Sequence, residues 1–321
     1  MTNEPKKPSG GGVRFLTVDE EYSGQRLDNF LSRELQGVPK GRVYRALRKG
    51  EVRVNKGRVK PEYRLVAGDI VRIPPLHQAE RSQPARAPRG LLEELQDRVV
   101  YEDEGLLVMD KPSGLAVHGG SGLSFGLIES LRQLRPEERY LELVHRLDRD
   151  TSGLILLARR AKVLRELHRL LREKHVDKRY LALVVGHWPT SQTIIDAPLQ
   201  KNVLQSGERM VRVSGEGRRS ITRFKVVERF KGATLVEASP VTGRTHQIRV
   251  HARHGGHPLL GDDKYSNETG EALAREIGLR RLFLHASHLQ FELPEKGLLS
   301  FDASLDDSLE SAINKLRNRL I

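Results

Sequence analysis

The stretch His145-Arg146-Leu147-Asp148-Arg149-Asp150-Thr151-Ser152-Gly153 sets two carboxylates among two guanidinium groups and an imidazole. A carboxylate beside guanidinium groups stays ionised, which suits a nucleophile or an electrostatic stabiliser. The same composition suits a salt-bridged, capped turn. A second segment, Asp110-Lys111-Pro112-Ser113-Gly114 through Val117-His118-Gly119-Gly120-Ser121-Gly122, is rich in glycine. It reads as backbone approaching a ligand or as a mobile loop after a strand. No Gly-Lys-Ser/Thr closes it, so it is not a Walker-type phosphate loop. Lys178-Arg179-Tyr180 offers a ring that can stack on a base, or simply pack. In Pro240-Val241-Thr242-Gly243-Arg244-Thr245-His246-Gln247-Ile248-Arg249-Val250-His251, Thr245 is placed to cap a helix running to about His254. His246, His251, His254 and His257 lack an HExxH pattern and a thiol partner, which disfavours zinc against a basic helix facing nucleic acid.

These residues need a sheet to hold them. Runs at Val99–Glu102, Leu106–Asp110, Leu154–Ala158, Tyr180–Val185, Ile221–Arg229, Thr234–Ala238 and Leu282–Glu292 read as strands. The stripe Leu164, Leu167, Leu170, Leu171 and the segment Ser308–Leu320 read as helices. Strands in runs joined by short turns favour a mixed, mostly antiparallel sheet in an α+β fold. Upstream lies a different composition. Residues 24–76 carry 13 Lys and Arg against 5 Asp and Glu, out of a whole-chain excess of 13. Leu27, Phe30, Leu31 and Leu35 mark one helix, ended by Gly37. Val43, Ala46 and Leu47 mark a second, started by Pro39 and stopped by Gly50. Two short strands follow, at Glu51–Asn55 and Ile70–Ile73. The organisation read from the sequence is a flexible tail over 1–23, a small basic α+β module over 24–76, a Pro-rich linker over 77–97 and a larger domain over 98–321.

The 321-residue chain has a net charge of +13, and that field favours a polyanionic partner, nucleic acid first. Aromatics at 5% argue against a platform that stacks many bases. The lack of cysteine removes disulfides, cysteine-ligated zinc, iron–sulfur clusters and thiol nucleophiles. The N-terminal residues have no apolar stretch like that of a signal peptide, and no run reaches the ~18 apolar residues of a membrane helix. A soluble, cytoplasmic protein without membrane partners is expected.

His145-Arg146-Leu147-Asp148 with Thr151-Ser152-Gly153 resembles the signature of the RluA-type pseudouridine synthases. Lys111-Pro112, Gly114, Val117-His118, Tyr180 and Gly243 to Arg249 occur in that family's order, spanning 99 to about 292. Residues 24–73 resemble an S4-like RNA-binding module through Arg26-Leu27-Asp28 and Gly50 to Asn55. The stretch His118 to Gly126 is most similar to a branch acting on several uridines of 23S rRNA.

The resemblance implies isomerisation of uridine to pseudouridine without a cofactor or metal, by a monomer, on 23S rRNA or a pre-50S particle. It assigns Asp148 as the catalytic aspartate, acting at the sugar, at the base or by a glycal route. Arg249 would be its ion-pair partner through a bidentate fork, and Tyr180 would stack on the extruded uracil and help remove the carbon-5 proton. His145, Arg146, Lys111, His118 and Arg244 would contact RNA in the catalytic domain, and Arg42, Arg45, Lys49 and Arg53 in the module. Two rival readings are a non-catalytic RNA-binding or ribosome-assembly protein, and a metal-dependent nuclease built on Asp148, Asp150 and the histidines.

Overall fold

The computed structural model describes residues 12–35, 38–76, 86–119, 125–138, 140–203 and 209–319. The expected N-terminal tail up to residue 11, the helix stop at Gly37, linker residues 77–85 and Gly120-Ser121-Gly122 lie outside them. The chain divides into two compact units, the first reaching Arg86 and the second holding almost all of the chain from Ala87.

In the first unit, β1 (Arg14–Thr17) precedes helices α1 (Leu27–Glu34) and α2 (Lys40–Arg48), then β2 (Arg53–Val54) and β3 (Ile70–Ile73). The strands pair in the order β1-β3-β2, all antiparallel. Leu27, Phe30 and Leu31 of α1 meet Val43, Ala46 and Leu47 of α2 in one core. Pro39 supplies the fixed φ that starts α2, and Gly50 takes φ +69° after it. Arg26 clamps the nearly buried Asp28 through Nε and Nη2, and Tyr44 adds a third donor at 3.0 Å. The hydrogen bond from Arg26 is the main reason the Asp28 carboxyl titrates below its usual range. Strand β1 corrects the expected tail over 1–23. Arg14–Thr17 pair residue for residue with β3, and Val18 is buried in the core. The stretch is too short to show periodicity by itself.

The second unit opens with α3 (Arg89–Asp97), β4 (Val99–Glu102), β5 (Leu106–Lys111), α4 (Leu127–Leu134), β6 (Glu142–Leu143) and β7 (Ser152–Ala158). Helix α5 (Ala161–Glu173) leads to β8 (Asp177–Val185), β9 (Ile194–Asp196), β10 (Leu199–Val203) and β11 (Arg209–Val213). Then come β12 (Ile221–Phe230), β13 (Ala233–Pro240), α6 (Gln247–His254), α7 (Glu268–Glu276), β14 (Leu284–Leu293), β15 (Gly297–Asp302) and α8 (Asp307–Asn318). The main sheet runs β4-β5-β7-β14-β8-β13-β12-β9, with β15 on β14 and β6 on β7, and β10-β11 form a separate hairpin. Every pairing is antiparallel except β7 with β14. The architecture is the expected mixed, mostly antiparallel α+β sheet. Helix α3 shortens the expected 77–97 linker, because Leu95 enters the core beside α4.

Strand β7 explains how the sheet is covered. All seven of its residues are buried. Leu154, Leu156 and Ala158 face α5 through Leu167 and Leu170, while Ile155 and Leu157 face α4 through Leu127 and Leu131. The two-residue period of a strand sends alternate side chains into two cores, so the run reads as continuously apolar. At its N-terminal end, Ser152 and Gly153 lie opposite His285 and Ala286 in the one parallel pairing. Gly153 has φ +104°, and a Cβ there would come within 2.3 Å of the Ala286 carbonyl oxygen. Gly153→Ala is therefore expected to destabilise the protein by more than ~2 kcal/mol, from strain and backbone clash together. Urea unfolding of the variant measures it, and an unchanged midpoint would refute the account. Among the described residues no helix is long and apolar enough to cross a membrane.

Candidate active site

The loop after β6 carries His145 to Thr151 and is held by its backbone. Thr151 N–H donates to Asp148 O at 3.2 Å, Gly114 N–H to Arg149 O at 2.9 Å, and Ser113 Oγ to Asp150 O at 2.8 Å. Arg149 pairs with its neighbour Asp150 at 2.9 Å. The Asp148 side chain has no hydrogen-bond partner among the described residues and keeps 27% of its surface exposed. A carboxylate left open while the backbone of its loop is tied down is available for chemistry.

A guanidinium of α6 and an imidazole at its cap face it. Arg249 Nη1 lies 3.9 Å from Asp148 Oδ2, and His246 Nε2 lies 4.0 Å away. The expected fork between Arg249 and Asp148 is not formed. Arg249 spends its fork on the buried Asp262, through Nε at 2.7 Å and Nη2 at 2.6 Å, and Nη2 also reaches Asp263 at 3.1 Å. The reason is local. Asp262 also accepts the backbone N–H groups of Lys264 and Tyr265, so it is fixed in place and presents both oxygens to Arg249. Only the third guanidinium nitrogen is left toward Asp148. Burial lowers the pKa of Arg249, but the hydrogen bond and charge of Asp262, with Asp148 and Asp263, outweigh it and hold the group firmly protonated.

His246, not Thr245, occupies the position before α6, with φ +53°. Gln247 folds back instead, its Oε1 accepting from Thr242 Oγ1 and from the Arg244 N–H. His246 Nδ1 meets Tyr265 Oη at 2.7 Å, and Tyr265 Oη accepts the Val211 N–H. All groups are satisfied when Tyr265 donates to Nδ1, which puts the imidazole proton on Nε2, toward Asp148. Burial holds the pKa of His246 below the usual histidine value, although Asp148 pulls it upward. Two other histidines of that segment go to separate partners: His251 to Thr222 and Ala197, His257 to Val185.

Tyr180 sits in β8, opposite Ala238 of β13 and Ala286 of β14. Burial, and then the charge of Asp148, raise its pKa well above that of a free phenol. The hydroxyl stays protonated at neutral pH, so it presents a ring and an O–H, not a phenolate base.

A cleft of about 1340 Å³ joins these groups. Asp148, Tyr180, Arg249, His145, Arg146, His118 and Arg244 all line it. Among the described residues its walls hold nine lysines and arginines against one carboxylate, that of Asp148. Lys111 does not line it. Lys111 is fully buried, and its Nζ donates to the carbonyls of Pro112, Leu115 and Arg149 at 2.8, 2.8 and 3.0 Å. Burial pushes its pKa down to about 7, while three carbonyls, one for each N–H of an ammonium, favour the charged form. Lys111 thus ties the two glycine-rich and Asp148 loops together and offers nothing to RNA. His145 is also committed, because its Nε2 accepts the Leu156 N–H at 3.1 Å. The other expected RNA contacts belong to the first unit: Arg45, Lys49 and Arg53 are exposed, and Arg42 pairs with Glu51 at 3.1 Å.

His145 makes a pH prediction. Burial lowers its pKa from 6.5 to about 3. The unfolded chain then binds a proton at His145 that the folded chain refuses, so this contribution to stability is lost as pH falls from about 6.5 toward 3. Unfolding followed from pH 7 to pH 4 is expected to show a smaller acid loss in His145→Gln than in wild type. Equal slopes would contradict this.

Sequence reasoning missed Asp262 and Tyr265. Both follow the 240–251 segment in an irregular stretch, and neither stood in a motif. The signal available was a carboxylate and a phenol within twenty residues of a buried arginine.

The model of the RNA pseudouridylate synthase family matches residues 105–254, and that of the S4 domain residues 25–71. The chain is 54% identical over 319 residues to the ribosomal large subunit pseudouridine synthase C of Haemophilus influenzae, covering 99% of both chains. It is 56% identical over 310 residues to the protein of that name from Escherichia coli K12, covering 95% of this chain and 97% of that one. Among solved structures, human RNA pseudouridylate synthase domain containing 4 matches with a TM-score of 0.59 and 28% identity, over 71% of this chain and 96% of that chain. Most of the cleft around Asp148 lies within the residues that the synthase family model matches, and the chain belongs to the RNA pseudouridylate synthase family.

Proposed function

We propose that this chain converts uridines of large-subunit 23S rRNA, free or in a pre-50S particle, to pseudouridine, with Asp148 as the catalytic aspartate. The observation that carries the reading is one open carboxylate facing nine lysines and arginines among the described residues of the cleft, in a chain similar end to end to ribosomal large subunit pseudouridine synthases. In the reaction the bond from the ribose to uracil N1 breaks, the base turns, carbon 5 joins the ribose and loses its proton, and N1 gains one. Nothing is oxidised or reduced.

A uridine must leave its stack to reach Asp148, at a cost of a few kcal/mol. Arg146, Arg244 and the other cations of the cleft offset that cost at the phosphates, and the Tyr180 ring offsets it against the base. Arg249, locked by Asp262, keeps one nitrogen toward Asp148. His246 presents Nε2–H to the same oxygen. The S4-like unit, with Arg45, Lys49 and Arg53 exposed, would grip rRNA. An enzyme acting on that rRNA belongs in the cytoplasm.

Pseudouridine mapping of rRNA from cells with and without the protein tests this. Loss of defined pseudouridines in 23S rRNA, restored by the purified protein on a transcript, is the expected result. An unchanged map would leave the protein a binder of RNA and overturn the reading.

A further inference from the structure

A second cleft of about 1100 Å³ opens beside the first, and the two share Leu171, Lys174, Lys178, Pro240 and Val241 in their walls. It runs past the end of α5 and the ends of β8, β12, β13 and β14, and reaches Arg223 and Leu298. We propose that this second cleft is a binding channel for the single RNA strand flanking the target nucleotide, with Lys174 and Arg223 on its phosphates; this rests on the RNA-modifying reading above.

The local charges favour a polyanion. Near the end of α5 the carboxylates are already used: Arg169 holds Glu166 and Glu173, and Arg179 holds Asp177 at 2.6 Å. Lys174 and Arg223 are exposed and have no carboxylate partner among the described residues. Among the described residues the lining carboxylates are Asp177, which Arg179 holds, and Glu292. Lys178 belongs to both clefts, and burial without a compensating anion lowers its pKa, a cost that a phosphate beside it would relieve.

Local backbone geometry fixes the end of α5. The His175 N–H donates back to Leu170 O at 2.9 Å, and Lys174 takes φ +63°. The helix therefore stops at the point where the two clefts meet. Leu298, 64% exposed, gives a base an apolar surface between the cations. A small-molecule pocket spans ~300–1,000 Å³; two joined clefts beyond that range suit a polymer that passes through.

The test is binding of full-length Lys174→Gln/Arg223→Gln and wild type to the 23S rRNA fragment that wild type binds most tightly, and to the same fragment trimmed on either side of the modified uridine. Arg275→Gln on α7 removes a charge elsewhere and is the control. For the long fragment, the salt slope of the double variant is expected to fall by about 1.4, two contacts at ~0.7 each for a single strand. Trimming one flank should abolish the difference from wild type. Equal weakening on long and trimmed RNA, a slope like that of Arg275→Gln, or no change would overturn the channel. These outcomes are read in binding, apart from product. A wild type that makes pseudouridine while the variant shows no flank dependence refutes the channel and leaves the proposed function standing. A wild type that makes none, yet shows the flank dependence, does the reverse.

Discussion

Asp148→Asn is expected to abolish pseudouridine formation, by roughly 10⁴-fold or more, while the protein stays folded and keeps its RNA affinity. The amide nearly matches the carboxylate in size but carries no charge, so it can neither attack nor stabilise a cationic sugar-like transition state. The geometry explains why folding survives. The loop is pinned by the Thr151, Gly114 and Ser113 bonds to backbone carbonyls, none of which involves the Asp148 side chain. Arg249 keeps its bidentate bond to Asp262, so no buried cation is orphaned. If Asp148 only shaped a turn, the variant would lose stability and retain turnover. Single-turnover product formation by protein shown to be folded and RNA-bound decides between the two.

Asp262→Ala should have the opposite profile: a large loss of stability, with activity lost as a consequence. Removing this carboxylate leaves the Arg249 guanidinium, 2% exposed, with only Asp263 and a distant Asp148. It also frees the N–H groups of Lys264 and Tyr265. Breaking a buried pair by removing one partner costs ~3–5 kcal/mol, a large share of a typical domain's stability of ~5–15 kcal/mol. Chemical denaturation of Asp262→Ala and Asp262→Asn measures it. Asn keeps one acceptor and should be affected less. A variant as stable as wild type would show that Arg249 is held by something else.

Much of this was legible in the residues. Long, strongly patterned elements such as β7, β12, β14 and α5 lie where their periodicity puts them, within a few residues. Short strands were read unevenly: β3 and β4 lie at their expected positions, whereas β1, β6, β9 and β15 were not read, because so short a stretch carries little periodicity of its own. The site was legible as a set of segments, and the fold brings Asp148, Tyr180, Arg249, Arg146, His118 and Arg244 to one cleft. The pairings were not legible. Residue types show that an arginine will seek a carboxylate, but whether Arg249 takes Asp148 or Asp262 depends on which carboxylate the backbone has already fixed. Lys111 misled for the same reason. A lysine next to a glycine-rich loop suggests a phosphate, whereas here three carbonyls enclose it.

The parallel contact between β7 and β14 has a consequence for biosynthesis. Ser152 directly follows the Asp148 loop, and its Oγ bonds His285 Nδ1 at 2.9 Å and Arg281 Nη2 at 2.6 Å; Arg281 in turn pairs with Asp306, which caps α8. These partners lie more than 120 residues later in the chain. The first unit, by contrast, closes its core between Val18 and Ile73. Contacts so distant in sequence form slowly, and domains generally fold in the order they are synthesised. During translation the N-terminal unit is expected to fold while the Asp148 loop still lacks its far anchor. A nascent chain could then hold RNA but not modify it, until the last sixth of the protein has emerged. Stalled chains ending before Leu284 should bind rRNA and form no pseudouridine.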